Sequence, residues 1–174
     1  MTDGDEDIGF CIKFAGYECV GKTNLVFSLA GIDFEEEYVS TTSPCYTKSS
    51  FSIENHKVSL YIWDIPGNKR LIPIRKKFIE SSAGLVIVFD ITNRQSFDDV
   101  QSWIDLIQNN DQKPLIVLVG NKIDLEEKRK VSKEEAESYA VQMDLHYFEI
   151  SVKNNEGISE FMTYFITHLY HSRK

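Results

Sequence analysis

Residues 16–23 read Gly-Tyr-Glu-Cys-Val-Gly-Lys-Thr, a complete match to the Walker A phosphate-loop pattern G-x-x-x-x-G-K-[ST]. An apolar run, Ile8 to Ala15, comes directly before it and predicts a β-strand. The backbone N–H groups of such a loop bind phosphate at the N-terminus of the helix that follows. The stretch therefore predicts a strand, loop and helix that bind a nucleotide, against the alternative of a chance glycine turn.

The loop also carries side chains with their own chemistry. Lys22 is expected to neutralise the β- and γ-phosphates, and the hydroxyl of Thr23 to ligate Mg²⁺. The residues of this region that we expect to contact the nucleotide are Gly16, Glu18, Cys19, Val20, Gly21, Lys22, Thr23 and Asn24.

A second motif, Asp64-Ile65-Pro66-Gly67, comes at the end of a predicted strand. A carboxylate in that place can hold Mg²⁺, and a glycine lets the backbone approach the γ-phosphate. The pattern D-x-x-G is common on its own, so its weight comes from its position behind the phosphate loop. We expect Asp64 to bind the metal and Gly67 to contact the γ-phosphate.

The third motif, Asn121-Lys122-Ile123-Asp124, indicates which base is bound. Guanine presents N–H donors at N1 and at its 2-amino group, and the Asp124 carboxylate can accept from both. Adenine would leave a buried carboxylate unpaired, which is strongly unfavourable. We expect Asn121 to bridge the base and the phosphate loop, and the aliphatic stem of Lys122 to cover the ring. The three motifs in this order predict a guanine-nucleotide site.

Composition narrows the class of protein further. The chain has 174 residues, 42% of them hydrophobic and 26% charged, which suits one globular domain over residues 8–174 behind an acidic tail, residues 1–7. The net charge of -8 argues against nucleic-acid binding, which usually needs clustered basic residues. The three cysteines lack the spacing of a zinc site or a disulfide framework, so we expect a cytoplasmic protein.

Short apolar runs alternate with stretches of helical period, which predicts an α/β fold with a largely parallel sheet. One antiparallel hairpin is expected at Asn55 and His56. Helices are predicted behind Ser96 as an N-cap, behind Ser132 with Glu135 as a capping box, and from Ile158 to Leu169. The predicted strands are Ile8 to Ala15, Ser50 to Ile53, Val58 to Ile62, Gly84 to Phe89, Leu115 to Val119 and Tyr147 to Ile150.

With these motifs the chain resembles the small GTPases of the Ras superfamily, and the Rab proteins most closely, over essentially its whole length. The resemblance implies the small G domain of the P-loop NTPases, a six-stranded and mostly parallel sheet flanked by helices. It also implies a switch of vesicle traffic that binds GTP or GDP with Mg²⁺ and hydrolyses GTP.

Further site residues rest on the same resemblance. Residues 38–41, Tyr-Val-Ser-Thr, are similar to the first switch of Rab proteins, which makes Thr41 a ligand of the γ-phosphate and Mg²⁺. Phe34 is similar to the aromatic residue that leans on the guanine edge. Residues 149–153 are similar to an E-T-S-A-K loop whose backbone reads the guanine oxygen, which places at the base Ser151, Val152 and Lys153.

The resemblance also suggests partner contacts. Tyr46, Trp63 and Phe78 match an aromatic triad that contacts effectors, although ordinary half-buried core aromatics are an equal alternative. Exchange factors and GTPase-activating proteins are expected at the switch regions. A basic run at 69–77 is expected to be a solvated helix face, or else a surface for an acidic partner or a membrane.

The chain departs from the family in the part that supports hydrolysis. The family carries glutamine where Asn68 stands, and Asn68 is one methylene too short to orient the attacking water in the same way. Misplacements of about 1 Å can lower a rate on the order of 100-fold. Pro66 replaces an alanine, and Glu18 and Cys19 replace small residues. We expect the catalytic set Asn68, Lys22, Thr41 and Gly67 to hydrolyse GTP slowly.

The C-terminus, residues 171–174, lacks the cysteines that Rab proteins prenylate. Membrane attachment, at the cytosolic face of endomembranes, is therefore expected only if a lipidated tail is missing from this chain. A monomer is expected. The main alternative is a scaffold that no longer hydrolyses GTP, which the retained motif residues argue against. An ATP-using P-loop enzyme shares only the phosphate loop.

Overall fold

The computed structural model describes residues 8–32, 41, 43–68, 72–107 and 113–173. Its strands are β1 Ile8–Ala15, β2 Cys45–Ile53, β3 His56–Asp64, β4 Gly84–Asp90, β5 Leu115–Asn121 and β6 His146–Ile150. They form one six-stranded sheet in the order β2-β3-β1-β4-β5-β6. Every neighbouring pair of these described strands is parallel except β2 and β3, which are antiparallel. The predicted α/β fold is confirmed.

Helices connect the strands and cover both faces of the sheet. They are α1 Lys22–Leu29, α2 Ile72–Ile79, α3 Arg94–Asp98, α4 Val100–Asp105, α5 Lys133–Gln142 and α6 Ile158–His171, with a 3-10 helix at Ile123–Lys128. One core lies between the sheet and α1 and α6, and a second lies between the sheet and α2 to α5. Among the described residues, no helix combines the length and apolar character needed to cross a membrane.

Strands β4 and β5 are buried along most of their length, which accounts for their continuous apolar sequences. All seven residues of β4 are buried, because helices cover both sides of the sheet there. In β5 the burial is complete only from Val117 onward, and Leu115 and Ile116 are partly exposed. Such continuous runs of β-branched and apolar residues are typical of parallel strands between two helical layers.

The hairpin strand β2 is longer than its apolar residues indicate. It begins at Cys45, where the prediction began at Ser50, and it pairs with β3 from Cys45 opposite Asp64 to Ile53 opposite His56. It lies at the sheet edge, where polar side chains are tolerated and carry little periodic signal. The hairpin at Asn55 is confirmed, with Glu54 and Asn55 in the left-handed region at φ 48° and 66°.

The predicted helix behind Ser96 is wrong in its start and its continuity. The N-cap is Asn93, and the helix breaks at Asp99 into α3 and α4. Ser96 lies inside α3, where its hydroxyl donates to the Asn93 carbonyl oxygen at 2.6 Å and accepts from the Asp90 N–H at 3.0 Å. A serine inside a helix can bond to the preceding turn in this way and then resembles a cap in sequence.

The other two predicted helices are confirmed, and of the capping box predicted for the first of them the structure shows the bond to the Ser132 hydroxyl. The Ser132 hydroxyl accepts from the Glu135 N–H at 3.1 Å, as an N-cap does, while the Glu135 carboxylate accepts from Arg94 at 2.6 Å. The last helix, α6, buries an apolar face that comprises Ile158, Phe161, Met162, Phe165, Ile166, Leu169 and Tyr170.

Candidate nucleotide-binding site

The predicted site residues meet at one edge of the sheet. Gly16 follows β1, Asp64 ends β3, Asn121 ends β5 and Ser151 follows β6. Because the carboxyl ends of parallel strands lie along one edge, these residues come together despite their separation in sequence. Phe34 lies outside the described residues.

Two glycines of the phosphate loop lie so close to neighbouring residues that no side chain would fit there. Gly16 has φ 134°, and a Cβ there would overlap the Val88 carbonyl oxygen. Gly21 has φ 93°, and a Cβ there would overlap the side-chain amide of Asn121. Helix α1 begins at the next residue, so its N-terminal N–H groups face the loop. The structure thus has the strand, loop and helix that the motif predicts, with glycine where no side chain fits.

Lys22 lies buried inside this loop. Its Nζ donates to the carbonyl oxygens of Gly16 at 3.0 Å and Tyr17 at 2.6 Å. Burial lowers the pKa of Lys22 to about 8, and the negative charge of Asp64 partly opposes that shift. An ammonium group removed from water in this way is well suited to a polyanion such as a triphosphate, whose charge would favour its protonated form.

Three oxygen-bearing side chains converge beside Lys22. The Thr23 hydroxyl donates to Asp64 Oδ2 at 2.5 Å and lies 2.8 Å from the Thr41 hydroxyl. Asp64 Oδ1 is buried and has no hydrogen-bond partner among the described residues. Burial raises the pKa of Asp64, and the Thr23 hydrogen bond opposes that shift. One carboxylate with an unsatisfied oxygen and two hydroxyls fit Mg²⁺, which takes few protein ligands beside phosphate and water.

Gly67 lies against the phosphate loop from the opposite side. It is buried, and a Cβ at this position would overlap the backbone of Tyr17 and Glu18. Its neighbours differ in exposure, since Pro66 is buried and Asn68 is partly exposed. The segment that begins after β3, at Ile65, is the second switch by resemblance to Rab proteins. Only glycine at position 67 allows it to approach the loop this closely.

The side chain of Asn121 links the phosphate loop to the loop that follows β6. Its Nδ2 donates to the Val20 carbonyl oxygen at 2.9 Å, and its Oδ1 accepts from the Val152 N–H at 3.2 Å. The expected bridge from Asn121 to the phosphate loop is therefore present in the structure. Lys122 adds a second connection, because its Nζ donates to the Cys19 carbonyl oxygen at 2.8 Å and lies 2.6 Å from Asp90 Oδ2.

The Asp124 carboxylate is oriented by a contact that the sequence did not reveal. The fully buried Ser151 donates its hydroxyl proton to Asp124 Oδ1 at 2.6 Å. The same hydroxyl accepts from the Asn154 N–H at 3.1 Å. Ser151 thus contributes its side chain to the motif that is predicted to read the base, while Lys153 beside it is exposed.

The basic run of the second switch contains one residue that the sequence placed wrongly. Lys76 and Lys77 are exposed, as a solvated helix face requires, but the side chain of Arg75 is only 1% exposed. Its Nη2 donates to the Gly67 carbonyl oxygen at 3.1 Å. Positions 69 and 70 lie outside the described residues. Only a structure can separate Arg75 from its neighbours, because the distinction depends on tertiary contacts.

Two of the three predicted effector aromatics lie together on the outer face of the sheet. The rings of Tyr46 and Trp63 are 5.5 Å apart, and these residues are 50% and 36% exposed. Phe78 is partly buried and packs on the second core, with Ile79 as its neighbour in α2. An exposed aromatic pair of this kind can bury further area against a partner.

The fold and these contacts are those of a small G domain, and comparisons with known proteins agree. A model of the Ras family matches residues 12–171. Ras-related protein Rab-21 of Homo sapiens is 35% identical over 152 residues, which cover 87% of this chain and 68% of that protein. Ras-related protein Rab-13 of Bos taurus is 34% identical over 152 residues, with 87% and 75% covered. The chain belongs to the Ras family of small GTPases and is of the Rab type.

Proposed function

We propose that this Rab-type GTPase binds GTP and GDP with Mg²⁺ as a molecular switch and hydrolyses GTP slowly. The convergence of Thr23, Thr41 and Asp64 beside the buried Lys22 is the observation that carries the proposal. A domain without a bound triphosphate and metal has no physical need to bury a lysine and an unsatisfied carboxylate oxygen side by side.

The site has residues that would bind the phosphates, the Mg²⁺ ion and the guanine base. Lys22 and the phosphate-loop N–H groups would hold the phosphates, and Thr23, Thr41 and Asp64 would hold Mg²⁺. When bound, Mg²⁺ neutralises charge on the β- and γ-phosphate oxygens. Asp124, oriented by Ser151, would accept from the guanine donors and reject adenine.

The part of the site that would support hydrolysis departs from the pattern of Rab proteins. Asn68 offers the same amide as glutamine on a shorter side chain, so it would hold the attacking water at the wrong distance. Pro66 fixes its φ and provides no N–H, which restricts the second switch on the other side of Gly67. The Glu18 carboxylate would add negative charge near the γ-phosphate and occupy the space of an arginine from an activating protein.

Single-turnover hydrolysis of GTP tests this proposal. We expect Asn68→Gln, alone or with Glu18→Gly, to raise the first-order rate by roughly 10- to 100-fold, because it restores the reach of the amide. The affinity of the Asn68→Gln protein for a non-hydrolysable GTP analogue, measured in parallel, should change little. A rate that neither variant raises would remove the physical basis of slow hydrolysis.

The alternative function is a scaffold that binds partners without hydrolysing GTP. Its support is the same set of departures together with Thr42-Ser43-Pro44-Cys45, a part of the first switch where Rab proteins are more apolar and contain glycine. Thr42 lies outside the described residues. The retained Lys22, Asp64 and Asp124 argue against complete loss of nucleotide. A protein that shows tight GTP binding and no measurable hydrolysis, even with Asn68→Gln, would favour the scaffold.

A role in vesicle traffic at the cytosolic face of endomembranes follows from the Rab type alone, and is proposed on that ground. Effectors would bind the exposed Tyr46 and Trp63 and the switch regions, with Phe78 at the margin. Replacing Tyr46 and Trp63 with alanine should abolish capture of nucleotide-dependent partners by the GTP-analogue form. Unchanged capture would place the partner surface elsewhere.

A further inference from the structure

Arg75 is a buried cation in the second switch whose contacts the proposed function does not yet use. Its guanidinium reaches from α2 to the N-terminus of α4, where its Nη1 lies 3.3 Å from Oδ2 of the N-cap residue Asp99 and 3.2 Å from the Ser102 hydroxyl. Its guanidinium carbon lies 4.0 Å from the centre of the Trp103 ring, within the range of a cation–π contact. We call Arg75, Asp99 and Trp103 the arginine clamp.

The clamp is rigid on the side of α4. Trp103 is fully buried, and its indole N–H donates to Asp99 Oδ2 at 3.1 Å, the same oxygen that pairs with Arg75. The Asp99 side chain is 10% exposed. A planar guanidinium held between a ring face and a carboxylate has few other orientations, because both contacts fix its plane. Arg75 is thus held in place by contacts within the protein itself.

The other end of the guanidinium reaches the nucleotide site. Arg75 Nη2 donates to the buried Gly67 carbonyl oxygen at 3.1 Å, and Gly67 lies directly against the phosphate-loop backbone at Tyr17 and Glu18. Arg75 Nε is buried without a hydrogen-bond partner among the described residues. Buried polar groups without a hydrogen-bond partner are uncommon in proteins, so a buried cation of this kind calls for an explanation.

We infer that Arg75 is a positioning residue that holds the Gly67 peptide against the phosphate loop and thereby favours GTP over GDP. The inference rests on the proposed function, and within it on the contact that the D-x-x-G motif predicts between Gly67 and the γ-phosphate. GDP has no γ-phosphate, so a device that orients Gly67 contributes to GTP binding and little to GDP binding. The clamp also transmits the presence of that phosphate to α4, whose Trp103 and N-cap residue Asp99 it holds.

The test compares Arg75→Lys and Arg75→Ala with an arginine outside the site. Arg94→Ala is the matched control, because Arg94 also pairs with carboxylates, Asp98 and Glu135, and lies over an aromatic ring, but its side chain is 48% exposed. Dissociation rates of fluorescent GDP and of a fluorescent non-hydrolysable GTP analogue are measured with Mg²⁺, and melting temperatures report folding.

We expect Arg75→Ala to release the GTP analogue roughly 10-fold faster or more, the usual weight of a hydrogen bond to a charged group, with GDP release within about twofold of the wild type. Arg75→Lys should lose most of the same preference, because one ammonium cannot bond Asp99 and the Gly67 carbonyl in the fork geometry of arginine. The Arg75→Lys protein also keeps the buried positive charge. Its two dissociation rates can therefore be compared with those of the wild type even if the Arg75→Ala protein does not fold. Arg94→Ala should keep the wild-type ratio.

Three results would overturn the inference. Equal acceleration of both nucleotides would assign Arg75 a purely structural role. A wild-type ratio in a folded Arg75→Lys protein would show that the two-donor fork is not needed. Failure of the wild-type protein to bind either nucleotide would remove the proposed function itself, and the inference with it.

Discussion

At the scale of single residues, Ser151 shows how a side chain can complete a motif that lies far away in the chain. Its hydroxyl donates to Asp124 Oδ1 at 2.6 Å from a fully buried position. The motif N-K-x-D predicted Asp124 as the base-reading carboxylate, but Ser151 was expected only for the backbone of its loop. The pairing depends on the register of β5 and β6, which no local pattern encodes.

Ser151→Ala should therefore weaken guanine-nucleotide binding by roughly 10-fold, because Asp124 loses a charge-assisted hydrogen bond that orients it. The measurement is a calorimetric titration with GDP and Mg²⁺. Ser52→Ala, at an exposed position of β2, is the control and should bind as the wild type does. Equal affinities for all three proteins would show that Asp124 needs no help from Ser151.

Arg75 is a second residue whose role depends on a contact that is distant in the chain, and its sequence context predicts exposure where the structure shows burial. Its sequence neighbours Lys76 and Lys77 are exposed, and a run of basic residues reads as a solvated face. The burial of Arg75 follows from a partner on another helix, Trp103, whose ring lies beneath it. Residue identity predicted the charge here, but only the packing of α2 on α4 shows what the charge does.

At the scale of helices and strands, local patterns predicted the parallel strands well and the region after β4 poorly. Runs such as residues 84–89 are unambiguous because they contain no polar side chain and are buried on both faces. The stripe that begins at Phe97 was read as one helix, since the periodicity continues across the break at Asp99. Periodicity reports which face is buried, and both short helices bury the same face.

Ser96 holds the start of this region to the end of β4, and Ser96→Ala should destabilise the domain by about 1–3 kcal/mol. The substitution removes a hydroxyl that accepts from the Asp90 N–H and donates to the Asn93 carbonyl oxygen at a position only 1% exposed. Urea denaturation followed by circular dichroism measures the change. Ser138→Ala, on the exposed side of α5, should be neutral or slightly stabilising. A Ser96→Ala protein as stable as the wild type would contradict the role assigned to this serine.

At the scale of the whole molecule, the site couples the two cores that the sheet separates. Lys22 begins α1 on one face, and Gly67 is held to α4 on the other through Arg75. A nucleotide between them would contact elements from both sides. Binding should therefore stabilise the domain as a unit, by RT ln(1 + [L]/Kd) for a ligand of the native state.

Thermal unfolding measures this coupling. With GDP and Mg²⁺ at about 100 times the dissociation constant, the stabilisation is about 2.7 kcal/mol, which raises Tm by roughly 5–10 °C for a chain of this size. Removal of Mg²⁺ with EDTA should lower the Tm of the loaded protein, because Asp64 and the phosphates lose their shared cation. ADP with Mg²⁺ should have little effect. Equal melting temperatures with GDP and with ADP would contradict the proposal that Asp124 selects guanine over adenine.

The central claim, a guanine-specific nucleotide site, is tested most directly by what the protein carries after purification in Mg²⁺. The protein is denatured, and the released small molecules are separated by anion-exchange chromatography against nucleotide standards. The arrangement of Lys22, Asp64 and Asp124 predicts close to one GDP or GTP per chain and no adenine nucleotide. Recovery of ATP or ADP, or an empty protein that takes up no GDP when it is supplied, would contradict it.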